Sequence, residues 1–372
     1  MASKALIHEH HMHHALELAR RGTGRVAPNP RVGCVIVHDG KIIAEGWHDA
    51  FGGPHAEIHA LRQLERIPAD ATMYVTLEPC AHHGKTPPCA DAIIASGIRR
   101  VVVGMTDPNP LVSGRGIERL RQAGVDVITD VCSADCHWVN RGFTHVMTHK
   151  RPYIIAKVAQ SLDGCVASWN GTSKWITSPG SRCAVHALRN EVDAVLTGIG
   201  TVLADDPTFT VRHVEGRTPP RIVLDTALRT PLMSALVASI DKAPVIICCA
   251  DDRADSYDAS ALRDRGCTII GLPVADDQLL VEDLLDTCVN TLGLTSIMLE
   301  AGPTLVTSMV RAHAIHELHL HTAPILLGDG LRWCGLRPDS PSQAQRWHTH
   351  TIGMVDGDVH HILRSRSEQG PS

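Results

Sequence analysis

Three potential metal ligands and one carboxylate stand in the first quarter of the chain with the spacing of a catalytic metal site. The sequence reads Pro54-His55-Ala56-Glu57, and Cys80 and Cys89 follow. One imidazole and two thiolates supply three protein ligands, and a catalytic zinc keeps its fourth position open for water. Bound zinc lowers the pKa of that water toward neutrality. We therefore predict one zinc ion per chain, held by His55, Cys80 and Cys89.

Glu57 lies two residues after His55, in the first turn of a predicted helix. It can lie near the metal without binding it, which suits a group that moves protons between water and a leaving group. His-x-Glu followed by Pro-Cys is typical of zinc deaminases, although their second cysteine usually follows much sooner than Cys89 follows Cys80. A zinc-stabilised scaffold is the alternative, and it requires a fourth protein ligand, for which His82 or His83 is the close candidate.

A second candidate site begins at Glu300-Ala-Gly302-Pro303-Thr304, which follows an apolar strand and opens an apolar helix. Proline in the first turn and free backbone N–H groups can form an anion site at a helix N-terminus. On this feature alone, a simple strand-to-helix turn is the favoured interpretation. The chain lacks a G-x-G-x-x-G motif between a strand and a helix, and the lone Gly198-Ile-Gly200 is weak evidence for a dinucleotide site.

Strands and helices alternate around the first site. Asp39-Gly40 between two apolar runs predicts a hairpin. The alternation predicts a mostly parallel sheet covered on both faces. Strands are predicted at 32–37, 41–47, 72–77, 99–105 and 125–129, and helices at 55–67, 90–96 and 116–123.

The polar, basic segment 148–152 ends in a proline and marks the boundary between two predicted domains, 1–149 and 150–372. The α/β pattern then restarts, with a helix over Pro179–Val192 that has Ser178 as N-cap. Strand candidates in this half are YIIAKVA, DAVLTGI, RIVLD, APVIICCA, CTIIGL, SIMLE and ELHLHTAPIL.

Composition narrows the class of protein. The 372 residues exceed the usual size of one core, and a net charge of -5 with 3% aromatic residues argues against nucleic-acid binding. This balance counts against the rival interpretation, a nucleic-acid base deaminase with a C-terminal binding module. The chain has no apolar run of membrane-spanning length and no secretory pattern. We expect a cytoplasmic homo-oligomer that acts on small molecules and binds neither nucleic acid nor membrane.

The histidines of residues 8–14 alternate with apolar residues at helical spacing, which predicts a native amphipathic helix and not a metal site. The Cys132/Cys136 and Cys248/Cys249 pairs have no neighbouring ligand cluster in the sequence. We therefore interpret both pairs as structural.

Several segments, spread over nearly the whole chain, together resemble the bacterial bifunctional riboflavin-pathway deaminase–reductase family. In the first half the resemblance rests on Asn29–Cys34, Gly46–His48, Pro54–Glu57 and Pro79–Cys89; in the second half it rests on Ala159–Gly164, Ser173–Ser178, Thr201–Pro207 and Glu300–Thr304. It implies an N-terminal cytidine-deaminase-like α/β/α domain and a C-terminal dihydrofolate-reductase-like α/β domain.

The resemblance also implies two reactions and their site residues. Zinc-dependent deamination of a pyrimidine ribosyl phosphate comes first, and NADPH-dependent reduction of the ribosyl group follows. The deaminase substrate positions are Asn29, His48, His82, Lys85, Asp107 and Asn109. The cofactor positions are Ala159, Trp175, Thr201, Asp205, Thr226, Gly302, Pro303, Thr304, Leu305, Val306, Thr307 and Ser308. The reductase substrate positions are Lys157, Ser173, Arg189, Phe209, Arg212 and Glu300.

Two positions depart from the family pattern. Ala301 stands where a glycine is common, and Phe209 stands where an aliphatic residue is common. Asn29 and Asn109 also have an ordinary alternative role, because Asn-Pro pairs are common in turns.

Overall fold

The computed structural model describes residues 2–81, 87–110 and 112–365. The chain forms two compact units that divide between Lys150 and Arg151. In the described part of the chain, no helix is both long and apolar enough to cross a membrane.

The first unit is built on one five-stranded sheet with helices around it. Its helices are α1 (Ala2–Arg21), α2 (Ala56–Leu61), α3 (Cys89–Ser96), α4 (Arg115–Gln122), α5 (Ser133–Val139) and α6 (Arg141–His149). Its strands are β1 (Gly33–His38), β2 (Lys41–Trp47), β3 (Thr72–Leu77), β4 (Arg100–Met105) and β5 (Asp126–Ile128).

The strand order is β2-β1-β3-β4-β5, and only the β3-β4-β5 half is parallel. Strand β1 pairs antiparallel with both β2 and β3, so the prediction of a mostly parallel sheet is wrong for this half of the sheet. The predicted hairpin is confirmed, with Val37 paired to Ile42 and His38 to Lys41 across the turn. Because β3 and β4 are parallel neighbours, the loops that follow them leave the same edge of the sheet.

Helix α2 lies directly against β2 because Gly46 leaves room for it. A Cβ at Gly46 would lie 2.2 Å from the carbonyl oxygen of Ala56, where α2 begins. The helix ends at Leu61, so the prediction of a helix to residue 67 is too long. The side chain of Gln63 donates to the carbonyl oxygens of Glu45 and His59, which satisfies the end of the helix and fixes it to β2.

The second unit is built on a nine-stranded sheet. Its helices are α7 (Pro179–Glu191), α8 (Ile199–Asp205), α9 (Ala235–Ala238), α10 (Tyr257–Asp264), α11 (Val281–Asn290) and α12 (Pro303–Arg311). Its strands are β6 (Tyr153–Ser161), β7 (Cys165–Ala167), β8 (Ala194–Gly198), β9 (Arg221–Leu224), β10 (Val245–Ala250), β11 (Thr268–Leu272), β12 (Val274–Ala275), β13 (Gln278–Leu279), β14 (Ser296–Leu299), β15 (Glu317–Ala323), β16 (Leu331–Arg332), β17 (Trp347–Val355) and β18 (Asp358–Ser365).

The large sheet has the order β11-β10-β9-β8-β14-β6-β15-β18-β17. All its pairs are parallel except β15–β18 and β18–β17. A hydrophobic core lies on each face, and β6 contributes to both: Ile154 and Ala156 to one, Tyr153 and Ile155 to the other. By the two-residue period of a strand, Lys157 and Ala159 share the face of Tyr153 and Ile155.

The C-terminal hairpin β17–β18 was not among the predicted strands. It turns at Asp356-Gly357, the same dipeptide that marks the β1–β2 turn. Strand β17 is largely exposed and β18 only half-buried, so neither carries a strong apolar alternation. The Asp-Gly pair was the available signal.

Candidate active sites

The three predicted zinc ligands converge at the ends of three elements. His55 is the N-cap residue of α2, Cys80 lies in the loop after β3, and Cys89 is the first residue of α3. Their ligand atoms all lie within 4.8 Å of one another. His55 Nδ1 is 3.2 Å from Cys89 Sγ and 3.7 Å from Cys80 Sγ.

These distances fit zinc. Ligands at ordinary Zn–N and Zn–S bond lengths in tetrahedral geometry are separated by about 3.6 Å. Hydrogen bonding with Cys89 lowers the pKa of the Cys80 thiol to about 4, and the same shared proton raises the pKa of Cys89. The pair thus already holds one thiolate, which is the form that zinc binds.

Glu57 is 3% exposed and lies within the same cluster. Burial raises its pKa to about 7, a value at which a carboxyl group both takes up and releases protons near neutral pH. Glu57 does not belong to the ligand set of His55, Cys80 and Cys89. This agrees with the prediction that Glu57 moves protons and does not bind the metal.

Asn29 and His48 lie together beside the ligand cluster. The His48 ring contacts the His55 ring at a centroid distance of 5.6 Å. His48 Nδ1 lies 3.0 Å from the Pro54 carbonyl oxygen and therefore donates to it, which leaves Nε2 to accept from the Asn29 amide at 3.2 Å. Burial lowers the pKa of His48, so the ring is held neutral in this tautomer.

Glu78 positions the loop that carries Asp107 and Asn109, and the sequence reasoning missed it. This buried carboxylate accepts from the backbone N–H groups of Asp107 (3.0 Å), Gly114 (2.9 Å), Gly116 (2.7 Å) and Ile117 (3.2 Å). Asp107 in turn accepts from the backbone N–H of Asn109 at 2.8 Å. In the sequence, the available signal was a charged residue directly after a predicted strand and next to Pro79-Cys80.

Two predicted deaminase substrate residues, His82 and Lys85, lie outside the described residues. The same is true of His83, so the alternative of a fourth protein ligand to zinc is not tested by the geometry.

In the second unit, three predicted substrate residues form one buried ion-pair cluster. Arg189 makes two hydrogen bonds of 2.9 Å to the two carboxylate oxygens of Glu300. Lys157 Nζ lies 3.3 Å from Glu300 Oε1. Burial alone would raise the pKa of Glu300, but the charges of Arg189 and Lys157 lower it to about 2.

Phe209 and Arg212 lie next to this cluster. The Arg189 guanidinium lies 5.6 Å from the centre of the Phe209 ring and donates to the Thr210 carbonyl oxygen at 3.0 Å. Arg212 donates to the hydroxyl groups of Thr208 and Thr210. Within the described ranges, Arg212 forms no ion pair with a carboxylate.

Three of the predicted cofactor residues, Thr201, Asp205 and Gly302, form hydrogen bonds with other predicted site residues. Thr201 Oγ1, on α8, accepts from the Gly302 backbone N–H at 3.0 Å and so fixes the turn that opens α12. Asp205 accepts from the hydroxyl of Ser173, a predicted substrate residue, at 3.0 Å. Trp175 is exposed, and the Arg182 guanidinium lies 4.6 Å from its ring centre.

The remaining predicted cofactor residues lie on separate elements. Ala159 is on β6, paired with His321 of β15, and Thr226 follows β9, where its carbonyl oxygen accepts from the Ala250 backbone N–H. On α12, Val306 and Thr307 are buried, whereas Thr304 is exposed and Leu305 and Ser308 are half-buried.

A buried histidine cluster beside Lys157 was also missed. His319 is paired with Lys157 across β6 and β15, and the rings of His321 and His360 stack at 4.1 Å. Burial is the main cause that lowers the pKa of His321 to about 3 and of His360 to about 4. Glu317 lies 2.5 Å from His319, which completes a polar layer under the predicted substrate site.

Family models match both units. The model of the cytidine and deoxycytidylate deaminase zinc-binding region matches residues 6–105, and that of the RibD C-terminal domain matches residues 152–355. Fold and site therefore define a zinc-binding deaminase domain joined to a reductase domain.

Similar proteins share this arrangement over most of their length. The riboflavin biosynthesis protein RibD of Aquifex aeolicus is 43% identical over 326 residues, which covers 87% of this chain and 89% of the relative. The RibD protein of Escherichia coli is 43% identical over 340 residues, with coverage of 87% and 89%. A solved structure of Acinetobacter baumannii RibD matches with a TM-score of 0.86 at 36% identity, and covers 97% of this chain and 99% of that one.

A Thermotoga maritima structure described as a diaminohydroxyphosphoribosylaminopyrimidine deaminase/5-amino-6-(5-phosphoribosylamino)uracil reductase also matches with a TM-score of 0.86, at 35% identity and coverage of 97% and 99%. The chain belongs to the RibD family of riboflavin biosynthesis proteins. This confirms the predicted fold class and the predicted bifunctional enzyme, a deaminase and a reductase. The match of residues 152–355 to the RibD C-terminal domain supports this prediction over the alternative of a C-terminal nucleic-acid-binding module.

Proposed function

We propose that residues 1–149 deaminate 2,5-diamino-6-(5-phosphoribosylamino)pyrimidin-4-one and that residues 150–372 reduce the ribosyl group of 5-amino-6-(5-phosphoribosylamino)uracil with NADPH. The observation that carries the proposal is the convergence of His55, Cys80, Cys89 and Glu57 within a chain of this family. The Thermotoga relative is described by the same two activities.

In the first reaction, water replaces the amino group of the pyrimidine and ammonia leaves. His55, Cys80 and Cys89 would hold zinc, which supplies a water of lowered pKa. Glu57 can accept a proton from the attacking water and return it to the departing nitrogen, since it is buried beside the ligand residues and its carboxyl group hydrogen-bonds with Cys89. His48 fixes the Asn29 amide, whose donor and acceptor atoms suit the edge of a pyrimidine ring.

Metal analysis of the full chain tests the ligand set. We expect Cys80→Ser and Cys89→Ser each to lose the zinc of this site and deamination with it. Cys183→Ser is the control, because Cys183 is exposed and belongs to the other unit. Full retention of this zinc and of deamination in both ligand variants would exclude the assignment.

In the second reaction, the ribosylamine ring opens and its C1 is reduced to give the ribityl chain. The start of α12 and Thr201 would hold the cofactor phosphates, and bound NADPH supplies the hydride. Lys157 and the Arg189–Glu300 pair present fixed charges to the opened sugar.

Arg212 is our candidate for the substrate phosphate. The charge of Arg189 is already balanced by Glu300, whereas the described partners of Arg212 are two neutral threonine hydroxyls. A guanidinium without a carboxylate partner retains its attraction for phosphate. Ser173 and Asp205 would order the loop between the two ligands.

Arg212→Gln tests this phosphate contact. We expect the KM of the reductase substrate to rise by about 10- to 100-fold, from the loss of a charge-assisted hydrogen bond, while the KM of NADPH stays unchanged. Arg253→Gln, at an exposed position of the same unit, is the control. If the KM of the substrate were unchanged in Arg212→Gln, Arg212 would not bind the substrate phosphate.

Gly302→Val tests the cofactor site without disturbing the fold. A Cβ at Gly302 would meet its nearest atom, Thr201 Oγ1, at 3.6 Å, which is ordinary contact, and the backbone φ of -71° is allowed for any residue. The fold therefore accommodates the added Cβ, and thermal unfolding of the variant checks that the γ-methyl groups of valine leave the unit folded. We expect a raised KM for NADPH with unchanged deamination, and comparison with NADH measures the preference between the two cofactors. Equal kinetics with NADPH in the variant and the parent would show that the start of α12 is not part of the cofactor site.

A further inference from the structure

The geometric arrangement that identifies the deaminase metal site occurs a second time in the first unit. His13 Nε2, Cys132 Sγ and a carboxylate oxygen of Asp135 all lie within 4.8 Å of one another. The sequence alone did not predict this site, because the Cys132/Cys136 pair has no accompanying ligand cluster in the sequence and the N-terminal histidines fit a helix. The fold brings α1 beside the start of α5 and so assembles the cluster.

The start of α5 and the facing turn of α1 bring the side chains of His13, Cys132 and Asp135 together. Cys132 is the N-cap residue of α5 in a left-handed conformation (φ 53°), and Asp135 lies in the first turn of that helix. His13 Nε2 lies 3.3 Å from Asp135 Oδ2. The Cys132 thiol lies 3.9 Å from the carbonyl oxygen of Glu9, one turn before His13 on α1.

The donor atoms select a transition metal. Imidazole, thiolate and carboxylate are all ligands of zinc, and a thiolate disfavours magnesium and calcium. A third set of close potential ligands, His38, Asp39 and Asp70, contains no sulfur atom, so it does not share this preference.

Two acidic side chains, Asp135 and Glu9, lie close enough to the Cys132 thiol to act on it electrostatically. Zinc binds the thiolate, so binding would release the Cys132 proton and bring the positive charge of the metal beside these carboxylates. Glu9 lies on the same face of α1 as His13, four residues earlier, and can complete the coordination together with water.

We propose that His13, Cys132 and Asp135 form a second, structural zinc site, which ties the N-terminal helix α1 to α5. The sequence predicted one zinc ion per chain, at the deaminase site, and this second site raises the expected number to two. Zinc bound only by the folded state stabilises the first unit, and this stabilisation grows with the logarithm of the free zinc concentration once that concentration exceeds the dissociation constant.

Zinc binding to the full-length protein, stripped with a chelator and reconstituted, tests the proposal. We expect two zinc ions per parent chain, one in His13→Ala, one in Cys132→Ser, and two in the control His10→Ala. His10 is exposed on the same helix one turn away and outside the cluster, so it measures non-specific binding by this histidine-rich segment. Deamination at the parent rate in Cys132→Ser shows that the remaining ion occupies the deaminase site and that the variant is folded.

Thiol alkylation locates the second ion. Zinc should slow alkylation of Cys132 at least tenfold and leave the exposed Cys183 unchanged, as read by mass spectrometry of the peptides. One zinc per parent chain, equal losses in His10→Ala and His13→Ala, or zinc-independent alkylation of Cys132 would each overturn the proposal.

Discussion

In the N-terminal unit, reactive groups stand at the ends of elements, where two thiols share one proton and a buried carboxyl titrates near neutral pH. In the C-terminal unit, the carboxylate of Glu300 pairs with both Lys157 and Arg189, and the pKa of Glu300 lies near 2. One site thus holds groups that change protonation state, whereas the other holds charges that stay fixed.

This difference follows from whether protein side chains or a bound cofactor carry out the reaction. Hydrolytic deamination moves protons through protein side chains, so the unit must keep a carboxyl with an intermediate pKa beside a metal. In a nicotinamide-dependent reduction the cofactor carries the hydride, so the protein mainly supplies binding, orientation and a fixed electrostatic field. The following variants separate these two roles.

Glu57→Gln gives the largest expected effect. Glutamine preserves the volume of the buried side chain but cannot accept the proton, so deamination should fall by about 10²- to 10⁴-fold. Zinc content and reduction of the pre-deaminated substrate should stay at parent values, as measured in separate assays of the full chain. A parallel loss of reduction would show that the two units do not act independently.

Glu300→Gln should disturb the fixed charges of the second unit. Lys157 and Arg189 then lose their countercharge, and the free energy of unfolding should fall by about 3–5 kcal/mol, with reduction impaired and deamination intact. Denaturant unfolding measures the change. Glu282→Gln is the matched control, since Glu282 pairs with Arg151 at the surface, where such a pair contributes about 1 kcal/mol or less. Equal stability of the two variants would contradict the role of the buried cluster.

Glu78→Gln tests whether the first unit also depends on a fixed charge. The carboxylate accepts from four backbone N–H groups, and an amide offers one acceptor oxygen in place of two. We expect a stability loss of about 2–3 kcal/mol and a higher KM in deamination. Glu118→Gln, on the exposed side of α4, is the control. If KM did not rise, the loop with Asp107 and Asn109 would not contact the substrate.

The pH dependence of stability should differ between the parent and His321→Gln. The folded-state pKa of His321 lies near 3, below its ordinary value of 6.5, because of burial and then the charges of His360, Lys157 and His319. The unfolded chain therefore binds more protons below pH 6.5, and stability is lost as pH falls. From pH 7 to 5 the loss attributable to His321 is about 1–2 kcal/mol.

Denaturant unfolding at several pH values measures this slope. His321→Gln should flatten the slope, whereas His313→Asn, at an exposed position with positive φ that asparagine tolerates, should leave it unchanged. Parallel slopes in the parent and His321→Gln would show that His321 is not the buried group that titrates.

The sequence by itself predicted the candidate zinc ligands, the candidate base and most of the strands. His55 and Glu57 are two residues apart, and the cysteines flank one loop, so local spacing carries that signal. Apolar runs such as β3 and β10 are buried along their whole length, and hydrophobic pattern alone identifies them. The resemblance supplied the reductase residues, because their order along the chain has no local chemical pattern.

Only the tertiary structure decided which distant groups meet. Arg189 and Glu300 lie 111 positions apart, and His13 and Asp135 lie 122 apart, yet each pair is in contact. Strand direction in the β1–β3 half, the loop around Glu78 and the histidine layer on β15 and β18 likewise depend on sheet order. Pairing between strands is a non-local choice that burial and register settle together, so no spacing rule in the sequence encodes it.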